Sequence, residues 1–223
     1  MLSTTNKNIS SDGLSCITWF KQAAFLFDVE RKIYIDPWDV PENFPKADLI
    51  FITHAHFDHF DLKTIRQLST GQTQIIAPHD VAKELSGFHN TLAVEPGMSR
   101  RPRGMIAMET VPAYNIDKPF HPKENNWVGY ILTINDARYY HAGDTDKIPE
   151  MKHIRCDFAF LPVGGTYTMD AQEAADAAGD INPRIAVPMH YGFVVGKESD
   201  GVRFKNAARV TTEILKPNIP FQT

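Results

Sequence analysis

Between residues 54 and 59 the chain reads His-Ala-His-Phe-Asp-His, three imidazoles and a carboxylate within six residues. The run before it, Ala47 to Thr53, is rich in β-branched and apolar residues and predicts a strand that delivers the chain into the cluster. On extended backbone, residues two apart point to the same side, so His54 and His56 can reach one borderline-soft cation. Asp58 and His59 follow where the chain turns, within reach of that cation or of a second. Packing four such groups together without metal leaves polar atoms hard to satisfy. A catalytic cation needs about three protein ligands and an open position, so the fold must bring further ligands to this strand's end.

Two later segments qualify. His141-Ala142-Gly143-Asp144-Thr145-Asp146 ends a β-prone run with a carboxylate behind a conformationally free glycine, a placement suited to a carboxylate bridging two cations. Met189-His190-Tyr191-Gly192 ends another with an imidazole. Ligands at strand exits are a recurring arrangement in layered α/β proteins.

The pattern around these segments is that of an α/β chain. Cys16–Phe20, Ala24–Phe27 and Lys32–Ile35 are short β-prone runs parted by polar residues, which predicts an antiparallel meander. Asp61 is a good N-cap for a helix carrying Leu62, Ile65 and Leu68. A strand at 74–77, a helix at 80–85 and strands at 92–94, 105–111, 130–134 and 138–141 follow, the last two joined by an Asn135-Asp136 turn. Between Pro112 and Trp127 lies a long loop, a candidate wall or lid. After a strand at 158–163, Asp170-x-x-Glu173 opens a helix ended by Gly179. A strand at 184–188 and a last helix at about 200–215 complete the chain.

Composition narrows the function. With 43% apolar and 22% charged residues the 223-residue chain is globular, and one domain from residue 14 to 223 behind a loose tail at 1–13 is expected. A net charge of −4 gives no strong nucleic-acid signal, and Arg100 to Arg103 reads as a solvated loop. Cys16 and Cys156 form no disulfide framework, and no apolar run reaches the length of a membrane span. The opening residues lack a secretory pattern, so a cytoplasmic location is expected. His79, His89 and His153 read as surface histidines. His141 is either a hydrogen-bond partner or proton shuttle near Asp144, or a packing residue. Trp127, Tyr167, Tyr191 and Phe193 are candidate pocket walls, and Lys118, Lys123 and Lys147 could attract an anionic group.

Five segments, Asp36-Pro37, the cluster at 54–59, Ala113-Tyr114-Asn115, Gly143-Asp144-Thr145 and Met189-His190-Tyr191, occur in an order that resembles the metallo-β-lactamase-fold hydrolases. Gly-Gly-Thr-Tyr-Thr-Met at 164–169 with Pro-Met-His-Tyr-Gly at 188–192 further resembles the branch of ascorbate-6-phosphate-lactonase-like and N-acyl-phosphatidylethanolamine phospholipase D-like proteins. The resemblance implies a four-layer αββα sandwich of the metallo-β-lactamase type, with two divalent metal ions at one edge, zinc or else manganese or iron. It implies that His54 and His56 hold one ion, Asp58, His59 and His190 the other, that Asp144 bridges, and that Asp36 orients the first loop. Where the family has a third imidazole for the first ion, this chain has Tyr114 and Asn115, leaving His121 as a substitute ligand or the first ion with fewer ligands.

The expected activity is hydrolysis of an ester, lactone or phosphodiester by a metal-activated hydroxide, with Asp58 as the catalytic group that orients it or accepts its proton. A small-molecule or lipid-like substrate fits that chemistry, and relatives of this fold suggest a homo-oligomer. The alternatives are a phosphodiesterase or nuclease of the same fold, and a metal-binding regulatory module without turnover.

Overall fold

The computed structural model describes residues 11–104 and 106–220. Of the tail expected at 1–13, residues 1–10 lie outside the described residues, and Ser11–Leu14 form a 3-10 turn.

Strands β1 (Ile17–Trp19), β2 (Phe25–Asp28) and β3 (Lys32–Ile35) make the expected antiparallel meander. Strands β4 (Leu49–Phe51), β5 (Gln74–Pro78) and β6 (Thr91–Val94) then add in parallel, giving a six-stranded sheet in sequence order. The second sheet contains β7 (Ser99–Arg100), β8 (Ala107–Pro112), β9 (Val128–Ile134), β10 (Ala137–His141), β11 (Phe158–Pro162) and β12 (Ile185–Met189), in the order β12-β11-β10-β9-β8-β7. β10, β11 and β12 run parallel to one another.

Period-two alternation sorts side chains onto the two faces of the first sheet. Phe25, Phe27, Ile33, Ile35, Leu49 and Phe51 enter the central core, whereas Leu26, Tyr34, Ile50 and Ile52 join Ile65, Leu68, Val81 and Leu85 in a second core outside it. That outer core is capped by α1 (Leu62–Leu68) and α2 (His79–Glu84). Aromatic pairs join the sheets, with ring centroids at 4.8 Å for Phe25–Phe160 and 5.0 Å for Phe51–Tyr130. On the far side, α3 (Ala171–Ile181) lies against β11 and α4 (Ser199–Ala207) against β12. The result is an αββα sandwich.

Local chemistry explains where the elements start and stop. Asp61 accepts from Lys63 N at 3.0 Å, and Asp170 caps α3 in a complete capping box with Glu173. α3 passes Gly179 and ends two residues later, because Asn182 takes the left-handed conformation at φ 54°. α4 stops at Ala207, short of the expected Leu215. Beyond it Thr212 bridges Ala186 of β12, where the β-branched run Val210-Thr211-Thr212 favours extended backbone. Asn135 and Asp136 turn the β9–β10 hairpin at φ 49° and 64° without glycine. Arg100, expected in a solvated loop with residues up to Arg103, instead pairs with β8 beside Ser99 as a two-residue edge strand, and both stay exposed. Among the described residues no helix is long and apolar enough to cross a membrane.

Because β4, β10 and β12 each run parallel to a neighbour within their sheets, their C-terminal ends carry His54, Asp144 and His190 to one end of the sandwich. The two sheets are pinned there: Tyr130 Oη donates to Ile52 O at 2.8 Å, and Val128 N donates to Thr53 O at 3.2 Å. Tyr130→Phe should therefore lower stability by about 1 kcal/mol, because it removes one buried hydrogen bond. Urea unfolding should show a lower midpoint at unchanged slope, and an unchanged midpoint would contradict this.

Candidate metal centre

The site begins at Asp36, which leaves β3 in a left-handed conformation at φ 45°. Its fully buried carboxylate accepts from Thr53 N at 2.7 Å, from Thr53 Oγ1 at 2.6 Å and from His59 Nδ1 at 2.7 Å. Thr53 has given its only hydroxyl proton to Asp36, so its oxygen can only accept from His54 Nδ1, 2.9 Å away. One carboxylate thus fixes the proton on Nδ1 of two histidines and turns both Nε2 lone pairs inward.

His121 is set in the same way by different means. Its Nδ1 lies 3.0 Å from Asn115 Oδ1, which also accepts from its backbone N–H at 3.0 Å. Asn115 is held by its own amide, which donates to Asp146 Oδ1 at 3.0 Å and to Tyr167 O at 2.9 Å. Ile116 N and Lys118 Nζ also donate to Asp146, which pins the start of the long loop. The loop therefore turns inward, and His121 is fully buried.

Gly143 carries the chain into Asp144 at φ 64°, where a Cβ would meet Thr53 Cβ at 3.1 Å and Val128 O at 3.2 Å. That conformation and that close approach require glycine. Asp144 ends up at the middle of the cluster. Its Oδ2 lies 3.1 Å from His190 Nε2, 3.4 Å from His121 Nε2 and 3.9 Å from His54 Nε2, and its Oδ1 lies 3.3 Å from His59 Nε2. His190, itself left-handed at φ 58°, also lies 3.4 Å from Asp58 Oδ2.

Two donor groups result. His54, His56, His121 and Asp144 each offer an atom within 4.8 Å of the others, and so do Asp58, His59 and His190. Asp36, His54 and His59 are as close, but the Asp36 oxygens are already taken by Thr53 and His59. Of the seven buried side-chain polar atoms without a hydrogen-bond partner among the described residues, three belong to groups that face the cluster: His59 Nε2, His121 Nε2 and Asp144 Oδ1. Such orphans are costly in a dry interior. A divalent cation with nitrogen and oxygen ligands fits the set.

The electrostatics agree. Burial lowers His54 well below the ordinary imidazole value, and His59 lowers it further. Burial opposes charge on Asp144 and Asp58. Even so, His190 and His59 hold Asp144 well below the carboxylate range, and the hydrogen bond from His190 helps hold Asp58 at about 2. Burial also opposes charge on His190, yet Asp144 draws it up to about 9. The carboxylates pull positive charge into a desolvated site, and a divalent cation supplies it without protonating the rings.

The structure brings together the seven residues singled out as ligands in the sequence. His79, His89 and His153 are exposed, as expected. His141 is buried with Nε2 2.9 Å from Ala23 O and Nδ1 accepting from Gly143 N at 3.2 Å, so it supports the turn into Asp144. The three lysines are each paired: Lys118 with Asp146 and Glu173, Lys123 with Glu150, Lys147 with Asp180. Trp127 packs its ring 5.0 Å from His54 and 5.1 Å from His56. Burial raises the Cys156 thiol to about 12 and raises Cys16 as well, which leaves both poor nucleophiles.

Sequence reasoning missed Gln22. It turns the β1–β2 connection at φ 46°, is fully buried, and puts its Nε2 3.2 Å from both Asp58 Oδ2 and His190 Nε2. Its backbone carbonyl accepts from His190 N at 2.9 Å. A glutamine in a polar turn carries no signal of that role.

A paired-sheet sandwich with a histidine and carboxylate cluster at one end defines a class of metal-site proteins. The β-lactamase superfamily domain matches residues 16–190, and this chain belongs to that superfamily. Within it the chain is 31% identical to a UPF0173 metal-dependent hydrolase of Archaeoglobus fulgidus, over 92% of this chain and 98% of the relative. It is 33% identical to a UPF0173 metal-dependent hydrolase of Pyrococcus horikoshii, over 90% of this chain and 96% of that one. A crystal structure from Parabacteroides distasonis matches at TM-score 0.82 and 35% identity, over 91% of this chain and 93% of that chain.

Asp36→Ala should leave two histidines without their orienting acceptor. Competition with a chromogenic chelator should show divalent-metal affinity reduced about 10- to 100-fold. An affinity equal to wild type would contradict the orienting role.

Proposed function

We propose that this protein is a metal-dependent hydrolase with a two-ion site, cleaving an ester, lactone or phosphodiester bond in a small-molecule or lipid-like substrate. One observation carries the reading: a single carboxylate, Asp144, stands between two separate donor groups, 3.4 Å from His121 and 3.1 Å from His190. His54, His56 and His121 would hold one divalent cation and Asp58, His59 and His190 the other, with Asp144 shared. Zinc suits this imidazole-rich set, and manganese and iron accept the same donors. Bound there, the cations supply Lewis acidity and bring the pKa of a water toward about 7.

The chain's own residues do the rest. Asp58 borders the open cavity beside the cluster, so its carboxylate can accept a hydrogen bond from the attacking water and take up its proton. The Gln22 amide, donating to Asp58 Oδ2, fixes that carboxylate's orientation. Asp36 and Asn115 keep the Nδ1 protons of His59 and His121 in place, so these rings present Nε2. Trp127, itself 7% exposed, packs its ring against His54 and His56 and limits where those rings can move.

The relatives' name, metal-dependent hydrolase, supports turnover over a metal-binding module that has lost it. Two free cysteines support a reducing, cytoplasmic setting.

Hydrolysis of a chromogenic ester panel should vanish on exhaustive chelation and return with zinc or manganese. Asp58→Ala should lower kcat by about 10²- to 10⁴-fold. Full activity in the chelated protein would overturn the proposal.

A further inference from the structure

The cavity that opens onto the cluster is about 290 Å³ and has a polar floor and an apolar wall. Asp58, Asp144 and His190 form the floor, while Phe57, Phe120, Tyr167 and Val194 form the wall. The wall is unusual for this molecule. Seven large apolar side chains are exposed among the described residues, and three of them, Phe57 at 65%, Phe120 at 40% and Val194 at 41%, border this one cavity. Phe193, 42% exposed, follows directly in sequence from the ligand segment. The rings have fixed backing: Phe120 stands edge-on to Tyr167 at 4.6 Å, and Phe57 to Trp38 at 6.2 Å.

Charge separates the substrates that could use such a wall. Among the described residues no Lys or Arg borders the cavity. Lys118, the basic residue on the same loop as Phe120, is committed to Asp146 and Glu173. A substrate carrying a phosphate or a free carboxylate away from the reacting bond would meet apolar carbon and no counter-charge, and would lose hydration without replacement. A neutral substituent instead gains from leaving water. The volume adds a limit, because ligand cavities usually span about 300–1,000 Å³ and this one lies at the lower end.

Resting on the hydrolase reading above, we propose that the site selects neutral carboxylic esters or lactones whose acyl part is a short hydrocarbon or aromatic group, seated between Phe57, Phe120, Tyr167 and Val194. The reaction takes up one water and breaks the acyl C–O bond, releasing the carboxylic acid and the alcohol from an ester, or one hydroxy acid from a lactone. Substrates with an anionic group remote from the reacting bond and substrates with long lipid chains are disfavoured at the same site.

The test uses the zinc-loaded full-length protein with p-nitrophenyl acetate, butyrate, hexanoate, benzoate, palmitate and the monoanionic succinate, beside bis(p-nitrophenyl) phosphate. A buried methylene contributes about fourfold when fully sheltered. With the wall half open, kcat/KM should rise roughly tenfold or more from acetate to hexanoate and fall again at palmitate. The succinate ester should lie at least about tenfold below butyrate, its nearest neutral counterpart. Phe57→Ser with Phe120→Ser should flatten the series while circular dichroism and zinc content stay unchanged. A flat wild-type series, or a preference for the succinate ester or the phosphodiester, overturns the proposal even if the protein is a hydrolase.

Calorimetric titration with sodium acetate, hexanoate and succinate reads the wall without turnover. Hexanoate binding about tenfold tighter than acetate, and lost in the double variant, supports the apolar pocket even if no ester is cleaved; equal binding overturns it. A wild-type dimer that the double variant converts to monomer assigns the rim to a second copy of the chain and also overturns the proposal.

Discussion

Asp144 is 4% exposed and has four imidazoles within 4 Å, and most of what is distinctive in this structure follows from keeping that arrangement tolerable. A buried carboxylate among buried rings is stable only if every ring offers the right atom. The chain meets this condition with hydrogen bonds one step further out. Asp36 sets His59 directly and His54 through Thr53, Asn115 sets His121, and Gln22 holds the Asp58 carboxylate with its amide and the His190 backbone with its backbone carbonyl. The backbone is bent to serve the same end: Gln22, Asp36, Gly143 and His190 all adopt positive φ around the cluster. Local strain of this kind persists where the surroundings over-determine it, and here it gathers at the proposed metal centre.

The sandwich provides the convergence that no short motif can. Parallel pairing of β3 to β6 and of β10 to β12 brings strand ends to a common edge, and the aromatic core between the sheets fixes their separation. Residues about 90 and 131 positions apart in the chain, such as His54 with Asp144 and His59 with His190, become neighbours as a result. The cluster thus sits at the strand exits, while the apolar rim of the cavity, Phe57, Phe120, Tyr167 and Val194, comes from loops.

Much of this was legible in the sequence, for identifiable reasons. Strands such as 25–27 and 33–35 announce themselves as short apolar, β-prone runs parted by polar residues, continuous because both faces are buried, each against a different layer. The residues proposed as ligands were legible because histidine and aspartate at strand exits are chemically conspicuous. His121 was only half legible: its type fitted, but its burial depends on Asn115 and Asp146, which are joined only by the fold. Gln22 and Phe57 were invisible as site residues, since an amide in a turn and a phenylalanine inside a histidine motif have ordinary roles elsewhere. The end of α4 was misread because its amphipathic pattern continues past Ala207, while pairing of Thr212 with Ala186 competes with the helix and wins.

The most direct test of the central claim is anomalous scattering at the zinc edge from crystals of the zinc-loaded protein. Two peaks are predicted, one among His54, His56 and His121 and one among Asp58, His59 and His190, with the Asp144 carboxylate between them. No peak at this edge of the sandwich, or a single peak that leaves either imidazole group without an ion, would contradict the account.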